Sequence, residues 1–178
     1  HPGGVPGGTG TGAGMSTAPL QTTLPAPKAL RDLLLDLLGR DVDLTPADHW
    51  APTPGDPGAV AVYVDDRTTM RALIACDLEL SAVLGSAIAL IPAHTAKAAV
   101  EDRHLNDAML DNLHEVLNIL AALFNLPDRP HLKLHRMHEP GEFPPADVSA
   151  VLRSFAGRED LRIQVGGYGG GRIALVLA

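Results

Sequence analysis

Several things are scarce in this chain of 178 residues, and each scarcity removes a class of function. A single cysteine, Cys76, excludes an intrachain disulfide and suits a reducing compartment, so a cytoplasmic location is expected. Aromatic residues make up 3% of the sequence, too few for a base-stacking platform. Lys and Arg number 14 against 21 Asp and Glu, and no basic cluster reverses the formal charge of -7 locally. Such a surface repels phosphate backbones, which argues against nucleic acid as a partner. No apolar run approaches the roughly 18 to 20 residues needed to span a bilayer, so no membrane association is expected.

What is present is 46% hydrophobic, enough for one domain with a sizeable core and too little for two full ones. With so few rings the core must come from Leu, Val, Ile and Ala, with Trp50, Phe124, Phe143 and Phe155 as large fillers. Residues 1–24 offer little to bury. HPGGVPGGTGTGAG precedes Met15, and the whole stretch is expected to be an added remnant or a disordered lead-in, followed by one domain over residues 25–178.

In APKALRDLLLDLLG, Leu30, Leu33, Leu34, Leu37 and Leu38 recur at helical spacing, and Gly39 can close the helix. TPADHWAPTPGDPG carries four prolines and two glycines and is expected to be a loop. AVAVYVDD and MRALIACD form an antiparallel pair across a short turn containing Arg67, Thr68 and Thr69. LELSAVLGSAIALI reads as a mostly buried helix ending before Pro92, and residues 101–124 read as one further long helix. HLKLHRMH alternates as a half-exposed strand, PADVSAVLRSFAG as a short helix stopped by Gly157. LRIQVGG and RIALVLA flank YGGG as a terminal hairpin. Because strands come in sequential pairs, the expected class is α+β, with a largely antiparallel sheet covered by helices.

The stretch DNLHEVLNILAALF holds the most informative pattern. At about 100° per residue, Asp111, Glu115, Asn118 and Ala122 fall within roughly 60° of one another. Met109, Leu113, Val116, Leu117, Leu120, Leu123 and Phe124 crowd the other side. Asn118 therefore interrupts an apolar run without entering the core, where an unpaired amide costs on the order of 1 to 3 kcal/mol. A solvated face is the default explanation of such a stripe. Ile119, Ala121 and Ala122 beside it make the face flatter and more apolar than solvation alone requires, as suits close approach by another protein.

Asp111, Glu115 and Asn118 stand as D-x3-E-x2-N, and Pro140 follows after 21 residues. This resembles the signature of the CheC/CheX/FliY phosphatases of bacterial chemotaxis, written [DS]-x3-E-x2-N-x22-P, with the proline one residue early. A single copy resembles CheX more than the two-site CheC. The resemblance covers residues 25–178 and implies a CheC-like fold. It also implies hydrolysis of the aspartyl phosphate of a CheY-type response regulator, with Asn118 orienting the attacking water and Glu115 anchoring the partner through its lysine. Asp111 and Ala122 are candidates for contact with the partner's rim. The resemblance implies no metal or cofactor belonging to the chain, any Mg²⁺ being that of the receiver domain. The alternative it leaves open is a non-catalytic docking module of a two-component or flagellar switch pathway. CheX-like proteins are dimers, so a homodimer is expected, and RIALVLA at the C-terminus is the strand that could pair edge to edge with a second copy.

Other groups carry less. His131 and His135 share a strand face while His138 points away, a poor metal constellation beside the ordinary reading of a solvated strand edge. GGYGGGR lacks the strand and helix that frame a phosphate-binding glycine loop and reads as a hairpin. Cys76 reads as a core thiol. Trp50 either caps the core or meets a partner.

Overall fold

The computed structural model describes residues 3, 4, 7, 8 and 20–178, so the expectation for the lead-in falls mostly outside the described residues. At the near end of that segment Leu24 packs on the core and the Gln21 carbonyl accepts a hydrogen bond from Arg129 at 2.8 Å.

The order of elements is α1 (Pro27–Leu38), β1 (Val42–Pro46), β2 (Gly58–Val64), β3 (Met70–Asp77), α2 (Leu78–Ala87), α3 (Ala93–Glu101), α4 (Asp107–Leu120), β4 (Lys133–His138), α5 (Ala146–Leu152), β5 (Arg158–Val165) and β6 (Gly169–Leu177). A single 3-10 turn, Ala121–Phe124, extends α4. The six strands form one sheet in the order β1-β5-β6-β3-β2-β4, and every neighbouring pair is antiparallel. The α+β expectation therefore holds.

Two-residue periodicity divides the core. On β2, Ala59, Ala61 and Tyr63 face α1, α2 and α4, whereas Val60, Val62 and Val64 face Trp50 and α5. Ile74 on β3 and Leu175 on β6 join the first layer, and Leu73 and Val176 the second. Both faces of the central strands are buried, which is why β2 reads as unbroken apolar sequence rather than alternation. On β4, Leu134 and Met137 both pack on the first layer although they are three apart. A bulge opposite Val62 and Tyr63 inserts one residue between them and restores the common face.

The structure departs from the sequence reading in several places. Residues 101–124 are not one helix. The chain breaks after Glu101, Arg103 takes a positive φ of 53°, and Asn106 starts α4 afresh by accepting from the Met109 N–H at 2.9 Å. The chain between Pro92 and that break forms α3, which was not expected. The preceding helix ends at Ala87 rather than beside Pro92, with Leu90 at a φ of 56° in the turn. β1 was also unforeseen. It is a short edge strand whose last residue is Pro46, tolerated there because an edge leaves N–H positions unpaired.

Gly39 does end α1, at a φ of 64° and with its N–H on the Leu35 carbonyl. The terminal hairpin is present, and Gly169, Gly170 and Gly171 already belong to β6. β6 lies inside the sheet between β5 and β3, so the proposed edge-to-edge pairing through RIALVLA is closed. The two free edges are blunted instead, β1 by its length and Pro46, β4 by its bulge and its exposed Lys133, His135 and Arg136.

α2 and α4 approach backbone to backbone at Gly85, where an added Cβ would lie 2.5 Å from the Met109 carbonyl oxygen. Asn112 seals the crossing by donating to the Gly85 carbonyl at 2.8 Å. Gly85→Ala is expected to push the helices apart and to cost about 1 to 3 kcal/mol, read as a lower urea midpoint at unchanged slope.

Candidate functional site

α4 carries the candidate residues, and its inner face explains their orientation. Met109, Leu113, Val116, Leu117 and Leu120 are all buried, which commits the opposite face to the exterior. Asp111, Glu115 and Asn118 are exposed, as is His114 beside them. Glu115 and Asn118 are three residues apart on a continuous helix and so project side by side. With Asp107 in the first turn, the stripe presents three carboxylates and one carboxamide to the outside, a surface complementary to a basic rim.

The far end of the stripe differs from the simple helical wheel. α4 tightens after Leu120, and the N–H groups at its cap donate to the carbonyls of Asn118 and Ile119. A 3-10 turn advances about 120° per residue, so Ala122 is rotated by some tens of degrees from its α-helical position. It remains exposed, whereas Ala121, expected to flank the stripe, is turned into the core with 6% exposure. Ile119 is half-buried beside Asn118.

Beyond the 3-10 turn, Asn125 ties the end of α4 to the approach of β4. Its side chain accepts from the Leu132 N–H at 2.7 Å and donates to the Leu132 carbonyl at 3.0 Å, imitating a strand pair. Beneath the stripe, the Tyr63 hydroxyl donates to the Leu117 carbonyl at 2.6 Å. Sequence reasoning passed over Tyr63. The available signal was a lone tyrosine in an apolar strand, whose hydroxyl needs a buried acceptor.

The remaining candidates fall outside this site. Cys76 is fully buried, and desolvation with the charge of Asp77 pushes its thiol well above the usual range. Trp50 caps the second core layer, its indole N–H donating to Asp56 at 3.0 Å. His135 is exposed and His138 buried, with the His138 Nδ1 3.5 Å from Glu142. Among the described residues no group of three or more His, Cys, Asp or Glu is placed to hold a metal ion, and no helix is long and apolar enough to cross a membrane.

Comparison with profiles of known protein families gives no match, and comparison with curated proteins gives none. Solved structures do resemble this one. A chain of the FliG–FliM complex from H. pylori is similar at a TM-score of 0.55 and 10% identity, covering 84% of this chain and 85% of that one. A chain of the FliM–SpeE complex from H. pylori gives 0.54 at 8% identity, over 84% and 80%. FliY from Thermotoga maritima gives 0.51 at 12% identity, over 83% and 81%. At these identities the likeness is one of fold, and the chain has the CheC-like fold shared by FliY and the FliM middle domain.

Proposed function

We propose that the exposed face of α4 receives a phosphorylated receiver domain and promotes loss of its aspartyl phosphoryl group. The observation carrying this reading is that Glu115 and Asn118 project together from the open face of α4 in a fold similar to that of FliY. An aspartyl phosphate is an acyl phosphate, already activated. Water attacks phosphorus, the bond from phosphorus to the carboxyl oxygen breaks, and the products are free aspartate and inorganic phosphate. A helper protein need only hold that water in line and keep two surfaces in register.

The Asn118 carboxamide suits the first task, because it accepts from and donates to a water without bringing negative charge to the phosphoryl oxygens. Glu115 suits the second as a carboxylate for a lysine beside the phosphorylated residue. Asp111 and Ala122 border the same face and are assigned to the contact rim. Any divalent metal in the reaction belongs to the receiver.

The test is to mix the chain with phosphorylated receiver domains and follow phosphoryl loss. Acceleration supports the reading, and decay identical with and without the chain overturns it. Glu115→Ala is expected to raise KM by about tenfold or more with a much smaller change in kcat, since it removes an anchoring charge pair rather than the water contact. A steady-state titration of phosphorylated receiver separates the two parameters.

A second reading is a docking module without catalysis. It is favoured by two of the similar structures, which are chains of complexes, one of FliM with FliG and one of FliM with SpeE. Saturable binding of a receiver or another protein to the α4 face, with no phosphoryl loss, is the result that would select it.

A further inference from the structure

Asn118 sits on the last turn of α4, and that turn rests on a buried hydroxyl. Tyr63 is fully buried on β2, and its phenolic O–H donates to the Leu117 carbonyl at 2.6 Å. Its ring also lies against Phe124, with centroids 5.4 Å apart. One side chain thus touches the residue just before Asn118 and the residue that ends the 3-10 turn.

The place matters because the helical ladder changes there. Bonds at the cap fall back on the carbonyls of Asn118 and Ile119, and 3-10 geometry holds a chain less firmly than an α-helix. Helix ends fray unless something outside the helix fixes them. No glycine or side-chain cap closes α4 at Ala121. Burial, and secondarily the nearby Cys76, raise the Tyr63 phenol far above its usual range, so it stays a donor at any physiological pH.

We propose that Tyr63 is a positioning residue for Asn118: by binding the Leu117 carbonyl it fixes the height and rotation of the turn from which the carboxamide reaches its water. This rests on the reading of α4 as the face that acts on a phosphorylated receiver. Glu115 belongs to the regular part of α4, one turn earlier, so the contact with Tyr63 acts on the water-positioning end and not on docking.

Tyr63→Phe keeps the ring and removes only the donor. In the full chain it is expected to lower kcat for phosphoryl loss by about tenfold while KM stays within about twofold, because misplacing a positioning group costs rate rather than affinity. Phe124→Leu, which disturbs the same packing but leaves the hydroxyl in place, should keep kcat within about twofold of the parent. Unchanged kcat in a folded Tyr63→Phe chain overturns the proposal, and so does an equal loss in Phe124→Leu.

Amide hydrogen exchange decides the matter without catalysis. Loss of the bond should speed exchange at Ala121 and Ala122 by about tenfold relative to Leu113. If the unsubstituted chain leaves the phosphoryl group untouched, the functional reading fails, and the exchange ratio still decides whether Tyr63 holds the turn. If Tyr63→Phe does not accumulate, exchange in the parent chain serves: Ala121 and Ala122 as slow as Leu113 supports the clamp, and exchange at the rate of a frayed end refutes it.

Discussion

Asn118→Ala is expected to cut the acceleration of phosphoryl loss by about a hundredfold, with KM within about threefold of the parent. The exposed carboxamide stands opposite the core face of α4, whose buried residues are Met109, Leu113, Val116, Leu117 and Leu120. Stability should therefore stay within about 0.5 kcal/mol, as for most surface substitutions. Loss of rate without loss of stability or docking is the combination that a water-positioning role requires. Asn118→Asp should be no better than alanine, because a carboxylate keeps the acceptor but adds charge beside the phosphoryl oxygens. Single-turnover decay of a phosphorylated receiver, with chain in excess, reads both variants. A variant as fast as the parent would leave Asn118 a solvated surface residue.

The face on which Asn118 stands was legible in the sequence because amphipathic spacing over α4 is strict. Buried and exposed positions follow the expected sides from Met109 to Leu120. Spacing fails where geometry changes. Ala121 turns inward because the 3-10 turn alters the rotation per residue, and nothing in AALF announces that change. The hairpins β2–β3 and β5–β6 were legible because apolar strands flank short turns.

β1 was hidden because an edge strand ending in proline looks like the loop that follows it. α3 was hidden because AHTAKAAVE buries only Ala96 and Ala99, leaving no apolar stripe to count. The unbroken apolar run IALVL in β6 is the mark of a strand buried on both faces, but which strands flank it is a long-range property that the run does not encode.

The largest stability effect is expected far from α4, at Arg158 on the other side of the sheet. Its side chain is 6% exposed and that of its partner Asp160 is 10% exposed. The guanidinium meets both carboxylate oxygens of Asp160, at 2.8 and 2.9 Å, a bidentate pair. Its remaining donors reach the carbonyls of Leu152, Ser154 and Trp50, each at 2.8 Å. One side chain thereby fastens the end of α5 and the Trp50 loop to β5. Asp160 returns a bond by accepting from the Trp50 N–H at 3.2 Å.

Arg158→Ala removes the cation and leaves a nearly buried carboxylate without its partner, so a loss of about 3 to 5 kcal/mol is expected by urea unfolding. Arg158→Lys should recover only part of it, since an ammonium cannot make the planar bidentate contact and reach three carbonyls. Replacing both members, Arg158→Met with Asp160→Leu, should cost less than Arg158→Ala alone, because the unpaired charge is gone even though the carbonyls lose a donor. If the single and double substitutions are equally damaging, the carbonyl bonds rather than the ion pair hold α5 in place. Below the unfolding transition all of these variants should retain the parent's phosphoryl-loss kinetics, because the sheet separates this cluster from α4 and none of its members faces the first core layer.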